Sequence, residues 1–107
     1  MNNLWRTIKI DGINAIEKCV GEYNIWEMEK TPYAKFKVKI YINVDLLYTG
    51  YTNLQVKDKL GDYYCAVGHG KTEAEALEDT LQQFLKMLKY KDDWSETDFC
   101  CSDSFDF

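Results

Sequence analysis

The sequence predicts an α+β fold: an antiparallel β-sheet of about four strands, a long C-terminal α-helix packed on one face, and an acidic aromatic tail. Three observations point there. "FKVKIYI" alternates apolar and polar residues, the period of a half-buried strand. Two pairs of such segments flank short loops. The stretch from Thr72 onward carries a capping box and then apolar residues at helical spacing. At 107 residues, 46% hydrophobic and 15% aromatic, the chain suits one folded domain with a modest core. The domain is expected over residues 1–91 and the tail over residues 92–107.

The first twenty residues read as a strand in "LWRTIKI", then a short helix in "DGINAIEKCVG" with Asp11 as cap and Gly21 at its end. Ile13, Ile16 and Val20 would share its buried face. In the first hairpin, Phe36, Val38, Ile40 and Ile42 fall on one side; Lys35, Lys37, Lys39 and Tyr41 fall on the other. Pairing Glu29 with Lys35 across a loop at residues 30–34 sets Met28 against Phe36, Glu27 against Lys37 and Trp26 against Val38. The glutamates then neutralise much of the lysine row. In the second hairpin, a loop over residues 58–61 with Gly61 at positive φ pairs Lys57 with Asp62, Leu54 with Cys65 and Thr52 with Val67.

The helix begins at the box formed by Thr72 and Glu75. Leu77, Leu81, Phe84, Leu85 and Leu88 form its apolar stripe. Acids crowd its start and lysines its end, as the helix dipole favours. "CAVGHGKT" just before it matches the end of a phosphate-binding loop, but Cys65 stands where the first glycine belongs. Gly68 and Gly70 are therefore expected to turn the chain from strand to helix, and no cofactor is expected.

Cys19, Cys65, Cys100 and Cys101 lack metal-ligand spacing, and no metal is expected. Cys19 and Cys65 read as small core residues, although Cys65, His69, Cys100 and Cys101 would meet if the tail folded back. His69 is the only histidine, and no nucleophile, base and orienting group suggest an enzyme. No apolar run reaches the roughly 20 residues of a membrane span, and "MNNLWRTIKIDG" lacks a signal-peptide core. A cytoplasmic protein with reduced thiols is expected.

The net charge of −5 is unevenly placed. Residues 1–72 carry +2 and residues 73–107 carry −7. The tail interleaves acids with Trp94, Phe99, Phe105 and Phe107, more aromatic surface than solubility requires. Glu73, Glu78, Asp79, Asp92, Asp93, Trp94, Glu96, Asp98 and Phe99 are thus the candidate partner-binding residues, aimed at a basic surface.

Three resemblances follow. "GHGKTEAEALEDTLQQFLKML" resembles the strand-turn-helix ending of HicB-like antitoxins and of double-stranded RNA-binding domains. The short, acidic, aromatic-rich chain resembles small phage-encoded inhibitors of the anti-CRISPR and anti-restriction type. That likeness implies a nucleic-acid mimic working in the host cell cytoplasm. "SDSFDF" is similar to the acidic tip of single-stranded-DNA-binding proteins, which recruits partners.

The leading expectation is a non-enzymatic acidic protein that occupies a basic nucleic-acid-binding surface of a defence nuclease. The alternatives are a single-stranded-DNA-binding or replication accessory protein, with Lys35, Lys37 and Lys39 near DNA, and an antitoxin-like neutraliser.

Overall fold

The computed structural model describes residues 3–102 and residue 107. Its order is β1 (Lys18–Trp26), β2 (Lys35–Ile42), β3 (Tyr48–Lys57), β4 (Tyr63–Gly70), α1 (Glu73–Met87) and β5 (Phe99–Cys101). The sheet is antiparallel, in the order β1-β2-β3-β4, with β5 added to β3. The expected α+β class is therefore observed. Helix α1 lies across one face, and the other face has no helix among the described residues.

Side-chain alternation settles which face is covered. Phe36, Val38 and Ile40 of β2 and Leu54 and Val56 of β3 are buried beneath Ala76, Phe84 and Leu88 of α1. Phe36 and Phe84 pack with ring centroids 4.5 Å apart. The stripe differs in phase from the expected one. Its centre is Ala76, Thr80, Phe84 and Leu88, while Leu77 and Leu81 are partly buried and Leu85 is 50% exposed. The difference comes from two small residues, Ala76 and Thr80, which bring the helix backbone close to the sheet. Gly50 and Gly68 lie directly below, and a Cβ on Gly68 would overlap the Thr80 backbone nitrogen. Gly68 and Gly70 are thus strand residues that admit the helix, not residues of a turn.

Both hairpin registers differ from the expected ones. In the first, Trp26 pairs with Lys35, Ile25 with Phe36 and Tyr23 with Val38. Strand β1 ends at Trp26 because Glu27 leaves the ladder. Its carboxylate accepts from the Lys30 and Thr31 backbone N–H groups at 2.8 and 2.9 Å, and its carbonyl accepts from the Thr31 hydroxyl at 2.7 Å. Ala34, at φ 60°, completes the return. The shift is odd, so Trp26 and Met28 are exposed. The segment expected as a helix from Asp11 instead supplies the start of β1. "LWRT" forms a single 3-10 turn, and Ile8, Ile10 and Ile13 are exposed.

In the second hairpin Gln55, not Leu54, faces Cys65, and Tyr51 faces Val67. Residues 52–54 oppose Ala66 alone, a bulge that breaks the ladder. The buried Thr52 hydroxyl repairs it, accepting from the Ala66 N–H at 2.9 Å and donating to the Leu54 carbonyl at 2.8 Å. Gly61 does take positive φ, in a loop closed by the Asp58 N–H on the Asp62 carbonyl at 2.7 Å.

Two substitutions test this account by chemical denaturation. Gly68→Ala should cost about 1–3 kcal/mol, because rigid helix backbone and not a flexible side chain occupies the space. Thr52→Val keeps the shape but strands the Ala66 N–H, and should cost about 1–3 kcal/mol.

Candidate functional site

Residues 88–102 return from the end of α1 to the sheet. Trp94 Nε1 donates to the Leu88 and Lys91 carbonyls, each at 3.1 Å, so the indole satisfies the Leu88 carbonyl that the ending helix leaves open and one in the loop that follows. Its ring meets Tyr90 at 5.1 Å and Phe99 at 5.5 Å. Phe99 is buried in the core. Strand β5 pairs Phe99 with Val56, Cys100 with Gln55 and Cys101 with Leu54, on the β3 edge that β2 leaves beyond Thr52. Asn53 joins the two: its side chain accepts from the Lys37 N–H at 2.8 Å and its carbonyl from the Ser102 N–H at 2.7 Å.

Asp98 closes this segment. It is 7% exposed and meets Lys91 Nζ at 2.8 Å. It also accepts from the Ser95 backbone N–H at 2.9 Å and the Ser95 hydroxyl at 3.2 Å. The Lys91 ammonium, then the Ser95 N–H, hold its carboxyl down to about 2, and Asp98 in turn raises Lys91.

The candidate acids therefore fall into two groups. Glu73 accepts from the Tyr23 hydroxyl, and Asp79 accepts from the His69 N–H at 2.8 Å. That N–H, and then Gln83, lower the Asp79 carboxyl. With Asp98, Trp94 and Phe99, these residues hold the domain together. Glu78, Asp92, Asp93 and Glu96 are exposed. Glu78 is the sixth residue of the 15-residue helix, where it accepts from the Gln82 amide at 3.4 Å, and the other three lie beyond the helix end, which is about 14 Å along the axis from Glu78, with exposed Lys86 and Lys89 between. Phe105 lies outside the described residues.

The cysteines do not form the conceivable metal site. Cys65 and Cys100 face Gln55 from opposite sides, so two strand spacings, about 10 Å, part them. His69 pairs with Thr49, whose hydroxyl lies 3.2 Å from Nδ1. Among the described residues no three His, Cys, Asp or Glu side chains gather as ligands. Cys19 is exposed and Cys65 half-buried on the uncovered face, so neither is the core residue expected. At the helix start the Thr72 hydroxyl accepts from the Glu75 N–H at 3.1 Å, and Glu75 accepts from the Lys71 N–H at 2.9 Å.

The uncovered sheet face carries Lys35, Lys37, Lys39 and Tyr41, as alternation predicts. Glu27 and Glu29 do not face them. Among the described residues Glu22 is the one side-chain carboxylate that contacts Lys37 and Lys39, at 3.7 and 3.8 Å, and Lys35 lies 5.3 Å over the Trp26 ring. Tyr41 meets Tyr51 edge-on at 5.8 Å, and burial raises both hydroxyls above their usual range. Trp26 and Glu22 join this set through the β1–β2 register and Tyr51 through its pairing with Lys39 across β2 and β3, and alternation along one strand encodes neither.

No helix among the described residues is long and apolar enough to cross a membrane. Comparisons with family models, curated proteins and solved structures return no match for this chain.

Asp98 supplies a pH test. A lowered carboxyl stabilises the fold above its unfolded value near 4 and loses that effect as pH falls through about 2. Asp98→Asn should melt below wild type at pH 7, and the gap should close between pH 4 and pH 2.

Proposed function

We propose that this chain is a non-enzymatic binding protein that sets an acidic surface on the basic nucleic-acid-binding surface of another protein. An inhibitor of a defence nuclease, of the anti-CRISPR kind, is the leading form of this reading; an antitoxin-like neutraliser is the same physics with a different target. One observation carries it: Asp92, Asp93 and Glu96 are exposed on a segment already fixed by Trp94, Asp98 and Phe99. A free acidic tail must lose conformational freedom on docking. Here the intramolecular contacts have already ordered the chain, so less of the attraction is spent on ordering. Three carboxylates within five residues create a local negative field that steers a basic surface and is screened by salt. Glu78, about 14 Å along α1 from the helix end, would extend the footprint for a partner groove longer than that span.

The test is DNA cleavage by a panel of guide-dependent and restriction nucleases, with the protein added at 50 and 200 mM salt. Inhibition of a responsive nuclease should weaken with salt. The triple change Asp92→Lys, Asp93→Lys, Glu96→Lys should reduce it at least about tenfold, the ratio that 1.4 kcal/mol represents. The side chains are exposed, so the melting temperature should change little. A variant that inhibits as well as wild type overturns the reading.

A further inference from the structure

The uncovered sheet face is a second surface, opposite in sign to the acidic segment. Three lysines stand on alternate residues of β2, and the only side-chain carboxylate contacting them is Glu22, among the described residues. Both contacts are near the distance limit of an ion pair and the Glu22 side chain is half exposed, so they are weak and displaceable. Trp26, 66% exposed, flanks Lys35 at one end of the row, and Tyr41 and Tyr51 stand at the other.

Phe107 shows what this face accepts. Its carbonyl oxygen receives Lys39 Nζ at 3.2 Å and the Tyr41 hydroxyl at 3.1 Å, and the Lys39 ammonium lies 4.7 Å from its ring centroid. Phe107 thus offers a π-face to a cation and an oxygen to two donors. A nucleotide offers the same pair, a flat ring and acceptor oxygens. Beside Phe107 lies a depression of about 300 Å³ walled by Glu17, Tyr41, Tyr51, Gln55, Cys65 and Ser102. Gln55 and Ser102 there are polar and half-buried, suited to the edge of a base.

We propose that the uncovered face of the sheet binds single-stranded nucleic acid, with phosphates along Lys35, Lys37 and Lys39 and a base in the position Phe107 occupies. Aromatic side chains on a sheet, interleaved with lysines, form a stacking platform that tolerates any base sequence. Phe107 is then a competitor built into the chain. A duplex offers no free base faces and should bind poorly. The protein's net negative charge opposes long-range attraction of a polyanion, so binding is short-range and salt-sensitive. This proposal does not depend on the acidic segment, and its test uses no protein partner.

The experiment follows intrinsic fluorescence while 12-nucleotide oligothymidylate or oligouridylate is added to the full chain, with a matched duplex and an acidic phenylalanine-containing peptide as further ligands. Phe107→Ala should tighten oligonucleotide binding severalfold by removing the competitor. Lys35→Gln, Lys37→Gln, Lys39→Gln together should abolish it with the fold intact by circular dichroism. About three phosphate contacts imply about a 10- to 20-fold loss of affinity between 50 and 200 mM salt. Binding of thymidylate and uridylate alike supports base stacking, and preference for one identifies the natural strand. No binding by wild type or Phe107→Ala overturns the proposal, as does binding unchanged in the lysine variant. Binding of the peptide in place of the oligonucleotides reassigns the face to a protein ligand and overturns it too.

Discussion

The close contact of α1 with β3 and β4 governs the rest of the structure. Thr80 sits over Gly50 and Gly68, where no Cβ holds the helix away, and its hydroxyl is already bonded to the Ala76 carbonyl at 2.7 Å. A polar group is thereby buried without cost to its hydrogen bonding. The helix backbone lies low enough at this end for small side chains to fill the interface. Farther along, Phe84 and Leu88 fill the wider space against Phe36, Leu54 and Val56. With one face of the sheet closed this way, the other carries the lysines, the tyrosines and the half-buried cysteine.

The end of the helix sets up the second constraint. Its last carbonyls need donors, and Trp94 provides one while its ring covers Phe99. Tyr90 donates to the Lys57 carbonyl and Tyr63 to the Thr97 carbonyl, tying the segment to both ends of the β3–β4 hairpin loop. The Asp98–Lys91 pair is part of this closure, and its strength comes from shared hydrogen bonds with Ser95 as much as from charge. Aromatic residues that could have anchored a partner are therefore occupied at home. The acids between them are left facing solvent in a fixed arrangement.

One small domain thus carries charges of opposite sign on separate surfaces. The acids outnumber the bases overall, but the bases along β2 are adjacent, whereas of the exposed candidate acids Glu78 lies within the helix and Asp92, Asp93 and Glu96 lie beyond its end. At physiological ionic strength the screening length is about 8 Å, so each surface acts locally. Phe107 lies on the basic face through Lys39 and Tyr41, which links the acidic end of the chain to the face of opposite sign.

The sequence by itself determined the α+β class, the lysine face of β2, the positive φ of Gly61 and the Thr72 cap, because each rests on residues within a few positions of one another. Among the candidate acids, it did not say which would be exposed and which would be tied into the domain. Tertiary structure decided the registers, the phase of the helix stripe and the fate of the tail. The first register depended on Glu27 turning its carboxylate onto the Lys30 and Thr31 backbone, which alternation alone does not encode. The second depended on a bulge that only a buried Thr52 hydroxyl makes tolerable. The stripe shifted from leucines to Ala76 and Thr80 because glycines far away in the chain allowed a close approach, and hydrophobicity does not measure that fit. Asp98 looked like its neighbours Asp92 and Asp93; only the arrival of Lys91 and Ser95 beside it, with Phe99 beneath the sheet edge, made it structural. Local pattern fixes what each segment can be, whereas contacts between distant segments choose which polar groups are satisfied inside and which remain for a partner.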